Sequence, residues 1–271
     1  MKIGRIRVEP VNDGELWLDG GAMFGVVPKK LWAKVAPPDE ENRIRLSMHP
    51  LLVFTDPLIL IESGIGNKSD PKMARIYRID AGRLLRSLKE LGVEPEDIGI
   101  VINTHLHFDH GGGNTWRFED GIRPTFPRAR YIVQKAEWED AINPNERTRA
   151  SYLPENLIPI KDRVEMVEGE KEVVPGVRVI PTGGHTKGHQ IVRIESGGEV
   201  GIYLGDLIPT VAHLPLPYIM AYDLFPLETL KKKKELLTQA ADEGWILFFE
   251  HDPEIRWGRV RIEEGRYLLD Y

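Results

Sequence analysis

A short segment crowded with histidine constrains this 271-residue chain more than any other part of its sequence. Residues 104–113 read Thr-His-Leu-His-Phe-Asp-His-Gly-Gly-Gly, so three of the chain's eight histidines lie close to one another and to an aspartate. Imidazole and carboxylate groups at this spacing are typical of metal sites. Because alternate residues after a strand point the same way, we expect His105 and His107 to bind one metal ion, with Asp109 and His110 turned toward a second.

The remaining ligands must come from elsewhere in the chain, because a zinc-type ion takes about four. His185, Asp206 and His251 each follow an apolar run typical of a strand, which makes them the candidates. An isolated histidine more often has a packing role, and we expect that role for His49. His189 is expected to orient the loop or a ligand through a hydrogen bond.

Composition and charge exclude several other classes of protein. The absence of Cys excludes disulfide scaffolds, thiolate zinc fingers and iron–sulfur clusters, and a net charge of -6 argues against binding nucleic acid. Residues 1–7 lack an apolar signal core, and no stretch approaches the roughly 18 apolar residues of a membrane span. We therefore expect a cytoplasmic protein with a small-molecule substrate and neither a nucleic-acid nor a membrane partner. The basic run 231–234 is predicted to be a solvated helix face.

Apolar patterning predicts an α/β chain in which strands outnumber helices, and no linker or repeat divides it, so we expect one domain over residues 1–271. A capped helix is predicted at 80–92 with Asp80 as its N-cap, another helix at 227–241, and a loop or short helix at 23–35. Strands are predicted at 5–9, 15–18, 43–48, 51–55, 58–62, 98–103, 131–134, 177–181, 190–195, 200–204 and 245–249.

The order of the motifs resembles the metallo-β-lactamase superfamily. Its pattern is His-x-His-x-Asp-His, then a His in Gly-His-Thr-x-Gly-His, then Gly-Asp, then a final His after an apolar strand, and all four are present here in that order. The resemblance implies a four-layer αβ/βα sandwich, with two mixed sheets face to face and helices on the outer faces. It also implies two metal sites, one formed by His105, His107 and His185 and the other by Asp109, His110 and His251, with Asp206 bridging them.

Two further stretches, 19–32 and 213–223, resemble the branch of that superfamily that holds the quorum-quenching lactonases and the methyl-parathion-hydrolase-like enzymes. In that branch the early loop walls the substrate cleft, which implies that Met23 and Phe24 line the pocket. His213 is a third pocket candidate, because its segment is expected to overhang the site.

The sequence departs from the family pattern at two positions. The usual Asp-Thr-Gly is Glu62-Ser63-Gly64 here, which lengthens a side chain expected to support the metal ligands from behind. The tyrosine that the lactonases carry three residues past the bridging aspartate is replaced by Pro209. Tyr222 is the candidate for a replacement catalytic hydroxyl, with a packing role as the alternative.

Together these features predict a dinuclear metal-dependent hydrolase, in which a metal-bridging hydroxide attacks an ester, lactone or similar carbonyl bond. Asp109 is expected to serve also as a catalytic proton shuttle. Zinc is the favoured ion, with iron, manganese and cobalt as alternatives, because no thiolate discriminates among them. Phosphotriester or phosphodiester hydrolysis in the same site, and a mononuclear iron oxygenase of the persulfide dioxygenase type, are the alternative reactions. The apolar segment 214–220 leaves open a homodimer contact.

Overall fold

The computed structural model describes residues Met1–Tyr271, which form nineteen strands and seven α-helices. The strands are β1 (Lys2–Ile3), β2 (Ile6–Pro10), β3 (Gly14–Asp19), β4 (Arg43–Met48), β5 (Leu51–Phe54), β6 (Leu58–Ile61), β7 (Asp80–Ala81), β8 (Ile98–Ile102), β9 (Thr115–Phe118), β10 (Gly121–Pro124), β11 (Arg130–Gln134), β12 (Val164–Val167), β13 (Lys171–Val174), β14 (Val177–Pro181), β15 (Gln190–Ser196), β16 (Glu199–Tyr203), β17 (Ile246–Phe248), β18 (Trp257–Glu263) and β19 (Arg266–Asp270). The helices are α1 (Gly20–Phe24), α2 (Lys29–Trp32), α3 (Pro71–Ile76), α4 (Leu84–Glu90), α5 (Lys135–Ile142), α6 (Pro154–Leu157) and α7 (Pro226–Glu243).

Two seven-stranded mixed sheets form the framework. The first has the order β1-β2-β5-β6-β8-β11-β12, and β6, β8, β11 and β12 run parallel to one another. The second has the order β13 to β19, and its one parallel pair is β16 with β17. A three-stranded sheet (β4-β3-β7) and the hairpin β9–β10 complete the strands.

Alternating side chains on the central strands divide the core into layers. In β6, Ile59 and Ile61 pack into the cluster between the two sheets, whereas Leu60 points outward to the helix layer over the first sheet. In β17, Phe248 faces the central cluster and Leu247 faces the helix layer over the second sheet. Strands buried on both faces in this way confirm the predicted four-layer αβ/βα sandwich.

Each outer face carries a helix that packs through an apolar stripe. Helix α4 contributes Leu84 and Leu88 to the core on the first sheet. Helix α7 contributes Leu236, Leu237 and Ala240 to the core on the second sheet. None of the helices combines the length and the apolar character needed to cross a membrane.

The predicted helix 80–92 starts later than expected, at Leu84, and its predicted cap is wrong. Asp80 lies in β7, where it pairs with β3. The first turn is instead capped by the buried Asp13, whose Oδ1 accepts a hydrogen bond from the Leu84 N–H at 3.0 Å. The same carboxylate accepts from the Ile65 N–H at 2.8 Å. The helix therefore begins where a distant side chain satisfies its free N–H groups.

The prediction that residues 231–234 are a solvated face is also wrong for one of them. Lys233 is buried, and its Nζ donates to the carbonyls of Pro215 and Tyr218 at 2.8 and 2.9 Å. Burial lowers the pKa of this amine to about 7. Lys233 thus ties helix α7 to the segment 214–220.

Other elements match the predictions or were missed. Strands 43–48 and 177–181 are confirmed residue for residue, and the helix predicted at 227–241 is confirmed within the longer α7. Residues 23–35 contain the end of the short helix α1 and the whole of the short helix α2, joined by a turn. The elements that were not predicted include the hairpin β9–β10, helix α5 and the C-terminal strands β18 and β19.

Candidate metal centre

The candidate ligands meet at one edge of the sandwich, where strands of both sheets end. The segment 105–110 follows β8 in the first sheet. In the second sheet, His185 lies between β14 and β15, Asp206 follows β16, and His251 follows β17. Loops leaving a rigid sheet edge hold side chains in fixed positions.

His105, His107 and His185 form the first ligand group. His107 Nδ1 lies 3.1 Å from His105 Nε2 and 3.1 Å from His185 Nε2, and the three nitrogens all lie within 4.8 Å of one another. Three ring nitrogens that converge on one point match the ligand arrangement of a metal ion.

Asp109, His110 and His251 form the second ligand group, and their ligand atoms also lie within 4.8 Å of one another. His110 Nε2 is 3.0 Å from His251 Nε2, and His251 Nε2 is 3.8 Å from Asp109 Oδ2. His110 and His251 are fully or almost fully buried, so their nitrogens face this group and not solvent.

Asp206 lies between the two groups. Its Oδ2 is 3.2 Å from His185 Nε2, and its Oδ1 is 3.3 Å from His251 Nε2. Oδ1 is buried and has no hydrogen-bond partner within the protein. Burying an unsatisfied carboxylate oxygen costs free energy unless a bound cation or another group from outside the chain satisfies it. A nitrogen and oxygen donor set that includes a buried oxygen without a hydrogen-bond partner fits two divalent cations.

Hydrogen bonds hold the outer nitrogens of the ligand imidazoles. His185 Nδ1 is 2.8 Å from Asp223 Oδ1, and His251 Nδ1 is 2.9 Å from the Ser47 carbonyl. Such partners fix the tautomer and the orientation of the ring. His189 acts on Asp206 in turn, because its Nε2 accepts a hydrogen bond from the Asp206 N–H at 3.1 Å.

Glu62, the residue that departs from the family pattern, reaches the ligand loop from behind. Its backbone has a φ of 63°, which is unusual for a residue with a side chain. The carboxylate accepts hydrogen bonds from the Thr104 N–H at 2.7 Å and from Asn103 Nδ2 at 3.1 Å. The same carboxylate lies 3.6 Å from His110 Nδ1, which is too long for a hydrogen bond, so the longer side chain supports the loop through Asn103 and Thr104.

Burial and neighbouring charges shift the pKa values of the ligands. Burial lowers the pKa of His105 and His107 well below the usual value, so both rings are neutral and able to bind a metal at pH 7. Burial also lowers the pKa of His251, but the Asp206 carboxylate more than compensates and raises it to about 9. Burial opposes ionisation of Asp206, but His110 and the other histidines hold its pKa well below the usual value. A concentrated negative charge thus lies between the two groups.

A cavity of about 340 Å³ opens over the two groups. Arg147 and Ser151 line its polar rim, and Arg147 donates a hydrogen bond to the Ala221 carbonyl at 2.9 Å across the rim. The ligands that face the cavity are His107, Asp109, His185, Asp206 and His251. The apolar wall consists mainly of Leu18, Met23, Leu46, Tyr77, Phe108, Met220, Tyr222 and Leu224.

Of the three pocket candidates from the sequence, the structure places only Met23 on the cavity wall. Phe24 and His213 lie behind the wall, which corrects the expectation for both. Their rings stack with centroids 4.6 Å apart, and His213 Nε2 is 2.8 Å from the Met23 carbonyl. Because neighbouring residues of a helix point in different directions, Met23 faces the cavity while Phe24 packs beneath it.

Pro209 and Tyr222 occupy different parts of the site. The Pro209 carbonyl accepts a hydrogen bond from the His251 N–H at 3.0 Å, so this position holds the backbone of a candidate ligand. Tyr222 is on the cavity wall. Burial raises the pKa of its hydroxyl, which therefore stays protonated and able to donate a hydrogen bond at neutral pH.

The buried acidic residues beside the site that were not predicted include Glu137 of α5. It belongs to no motif that the sequence revealed. The one feature that distinguishes Glu137 is its place on the buried face of α5, which it shares with Trp138 and Ala141. His49 has the packing role expected of it, with Nε2 3.1 Å from the Asp252 carbonyl and no ligand group around it.

Comparisons with known proteins agree with this geometry. Residues 51–251 match the model of the metallo-beta-lactamase superfamily. An N-acyl homoserine lactonase from Bacillus sp. is 35% identical over 188 residues, which cover 68% of this chain and 66% of the relative, slightly under two thirds of its length. The crystal structure of a probable metal-dependent hydrolase from Staphylococcus aureus superposes with a TM-score of 0.93 at 34% identity, covering 100% of this chain and 99% of that one.

A more distant solved structure shares the fold. AidC, a dizinc quorum-quenching lactonase in complex with a product, N-hexanoyl-L-homoserine, has a TM-score of 0.84 at 23% identity, covering 100% of this chain and 95% of AidC. The family match covers well over half of the chain and includes every candidate ligand. The chain therefore belongs to the metallo-β-lactamase superfamily.

Proposed function

We propose that this protein is a dinuclear metal-dependent hydrolase that opens lactones, or cleaves similar esters, with a small and largely apolar acyl group. The observation that carries the proposal is the position of Asp206, which joins two three-residue ligand groups on the floor of a largely apolar cavity. The lactonase activity of the relative from Bacillus sp. favours a lactone among the carbonyl substrates.

The first ligand group and Asp206 would hold one ion, and the second group and Asp206 would hold the other. Two divalent ions supply a hydroxide nucleophile at neutral pH and polarise the oxygen of the bond to be cleaved. Zinc is the favoured ion, because the ligands are imidazoles and carboxylates. Asp109 lines the cavity, where its carboxylate can take a proton and return it to the departing alkoxide. The protonated Tyr222 hydroxyl can donate to the developing oxyanion.

The shape of the cavity narrows the class of substrate. A volume of about 340 Å³ suits a small ligand, and the apolar wall favours an alkyl or aryl acyl chain. Arg147 is the one lysine or arginine on the lining, at the rim. Its remaining N–H groups can donate to a carbonyl of the substrate, such as an acyl amide, while the reacting carbonyl lies over Asp206.

A side-by-side rate comparison tests the proposal. Zinc-loaded protein is assayed on N-acyl homoserine lactones, aryl esters, aryl phosphotriesters and aryl phosphodiesters, and its bound metal is measured. We expect two ions per chain and at least a tenfold higher kcat/KM for the lactones or esters than for either class of phosphate. Faster turnover of a phosphate would replace the proposal with phosphoryl-ester hydrolysis. One iron per chain, with oxygen consumption on glutathione persulfide, would replace it with the oxygenase.

Removing the Tyr222 hydroxyl should slow the reaction without releasing metal. We expect Tyr222→Phe to lower kcat/KM on the preferred lactone about 10²-fold, because loss of one oxyanion donor has an effect of that order. Bound metal, measured by elemental analysis, should stay at the wild-type level. Tyr218→Phe is the matched control, because Tyr218 lies in the same segment but packs against Phe24 outside the cavity lining. Equal rates for Tyr222→Phe and wild type would assign Tyr222 a packing role.

A further inference from the structure

A buried carboxylate outside the ligand set connects three loops around the cavity. Glu137 lies in the first turn of α5 and is fully buried. Its Oε1 accepts hydrogen bonds from the Leu106 N–H at 2.8 Å and from the Tyr152 hydroxyl at 2.9 Å. Its Oε2 accepts one from the Thr186 hydroxyl at 2.5 Å. Both oxygens of this carboxylate are therefore satisfied by the protein itself.

The three donors share one property, which is that each is next to a member of the first ligand group. Leu106 lies between His105 and His107 in the sequence, and Thr186 directly follows His185. The ring of Tyr152 lies 5.0 Å from the ring of His107.

No donor to Glu137 adjoins the second ligand group in the same direct way. Asp109 and His110 lie beyond Leu106, where Ser63 holds the loop by donating hydrogen bonds from its N–H and its hydroxyl to the His110 carbonyl. His251 is held by the carbonyls of Ser47 and Pro209. The hydrogen bonds of Glu137 are therefore concentrated on one half of the centre.

We propose that Glu137 is a positioning residue for the first ligand group. Its carboxylate holds the loops of His105, His107 and His185 at the separation that one metal ion requires, and the second group does not depend on it. The inference rests on the proposed dinuclear centre. It adds a residue that neither binds metal nor faces the cavity, yet controls the affinity of one of the two sites.

Substitutions at Glu137 should have graded effects. Glu137→Gln keeps the shape and at least two of the three hydrogen bonds, because a hydroxyl such as that of Thr186 can accept from the new amide. Glu137→Met fills a similar volume but accepts no hydrogen bond from the Leu106 N–H. Loss of a residue that orients metal ligands lowers metal affinity about 10- to 100-fold. We expect a loss in that range for Glu137→Met and a loss of less than about fivefold for Glu137→Gln.

The selectivity of the effect is measured by zinc competition with a chromophoric chelator in two backgrounds. His110→Ala leaves the first ligand group intact, and His107→Ala leaves the second intact. We expect Glu137→Met to weaken zinc binding about 10- to 100-fold in the His110→Ala background and less than about threefold in the His107→Ala background. Equal losses in both backgrounds, or no loss in either, would overturn the inference.

Two further measurements separate positioning from general destabilisation. Leu88→Ala opens a cavity in the outer core below α4, away from the site, and should destabilise the fold without changing either zinc affinity. If Glu137→Met does not fold, Thr186→Val replaces it, because that variant removes one of the three hydrogen bonds and keeps the side-chain shape. Unchanged zinc affinity of Thr186→Val in the His110→Ala background would then overturn the inference.

The experiments distinguish a failure of this inference from a failure of the proposed function. If the wild-type chain binds two zinc ions but hydrolyses no lactone or ester, the proposed function fails while the Glu137 variants still test the inference. If Glu137→Met changes neither affinity in a chain that is an active lactonase, the inference alone fails.

Discussion

Asp206→Asn should lower kcat/KM on the preferred substrate about 10³-fold, the largest effect on activity that we expect for any single conservative substitution. Bound metal ions supply several kcal/mol of transition-state stabilisation, and each 1.4 kcal/mol corresponds to a factor of ten in rate. The two oxygens of Asp206 face different ligand groups, at 3.2 Å from His185 Nε2 and 3.3 Å from His251 Nε2. The amide of asparagine offers an oxygen to only one of the two ligand groups, and it removes the buried negative charge. Elemental analysis of the variant should therefore find fewer than two ions per chain.

Asp252→Asn is the matched control for this substitution. Asp252 is also buried and adjoins His251 in the sequence, but its carboxylate accepts hydrogen bonds from backbone N–H groups, including those of Val211 and Glu254. We expect this variant to keep both ions and to stay within about threefold of the wild-type rate, because its carboxylate belongs to neither ligand group and does not line the cavity. If Asp206→Asn also kept two ions and near-normal activity, Asp206 would not be the bridge.

Gly188→Ala should lower the free energy of unfolding by about 3 kcal/mol, because the added methyl group overpacks a closely packed site. An added Cβ would lie 2.2 Å from the Glu137 backbone nitrogen and 2.6 Å from its Cα. Both are backbone atoms, so the loop that carries His185 or the start of α5 must move. Urea denaturation measures the loss, since the shift in midpoint at constant slope reports the change in stability.

Gly92→Ala separates this clash from the loss of glycine's conformational freedom. Gly92 ends the segment after α4 with a φ of 74°, and an added Cβ there meets nothing within 4 Å. We expect it to cost only about 1 kcal/mol, the usual penalty of the left-handed backbone for a residue with a side chain. A loss for Gly188→Ala no larger than that of Gly92→Ala would contradict the close approach of the loop to α5.

The parts of the fold that were predictable are those specified by local sequence. Strands 43–48 and 177–181 have the predicted bounds because apolar residues recur at alternate positions along them, which is the pattern of a half-buried strand. The candidate metal ligands could also be predicted from the sequence, because metal ions bind particular residue types at particular spacings. The family match over residues 51–251 confirms the resemblance that those motifs suggested.

The errors came from contacts between residues distant in the sequence. Asp80 has the sequence features of an N-cap, but Asp13, 71 residues before Leu84, takes that role. Lys233 does not differ from its lysine neighbours by type, and only the carbonyls of Pro215 and Tyr218 account for its burial. Local patterns hold no information about either partner.

The lining of the cavity was also only partly predictable from local sequence. A resemblance in the early loop correctly indicated Met23, but the side chain of Phe24 packs away from the cavity against His213. Glu137 was invisible for the same reason, because its importance lies in three donors that come from other segments.

The parallel pairing of β16 with β17 bears on the order in which the molecule is assembled. The connection between these two strands includes the whole of α7, and non-local pairings of this kind form slowly during folding. His251 follows β17 directly, whereas His105, His107 and His185 all precede β16. A growing chain emerges from its N-terminal end, so it presents the complete first ligand group before it presents the last member of the second. In the proposed dinuclear centre, the second ion would therefore bind late in biosynthesis, and its binding would report that the C-terminal strands have docked.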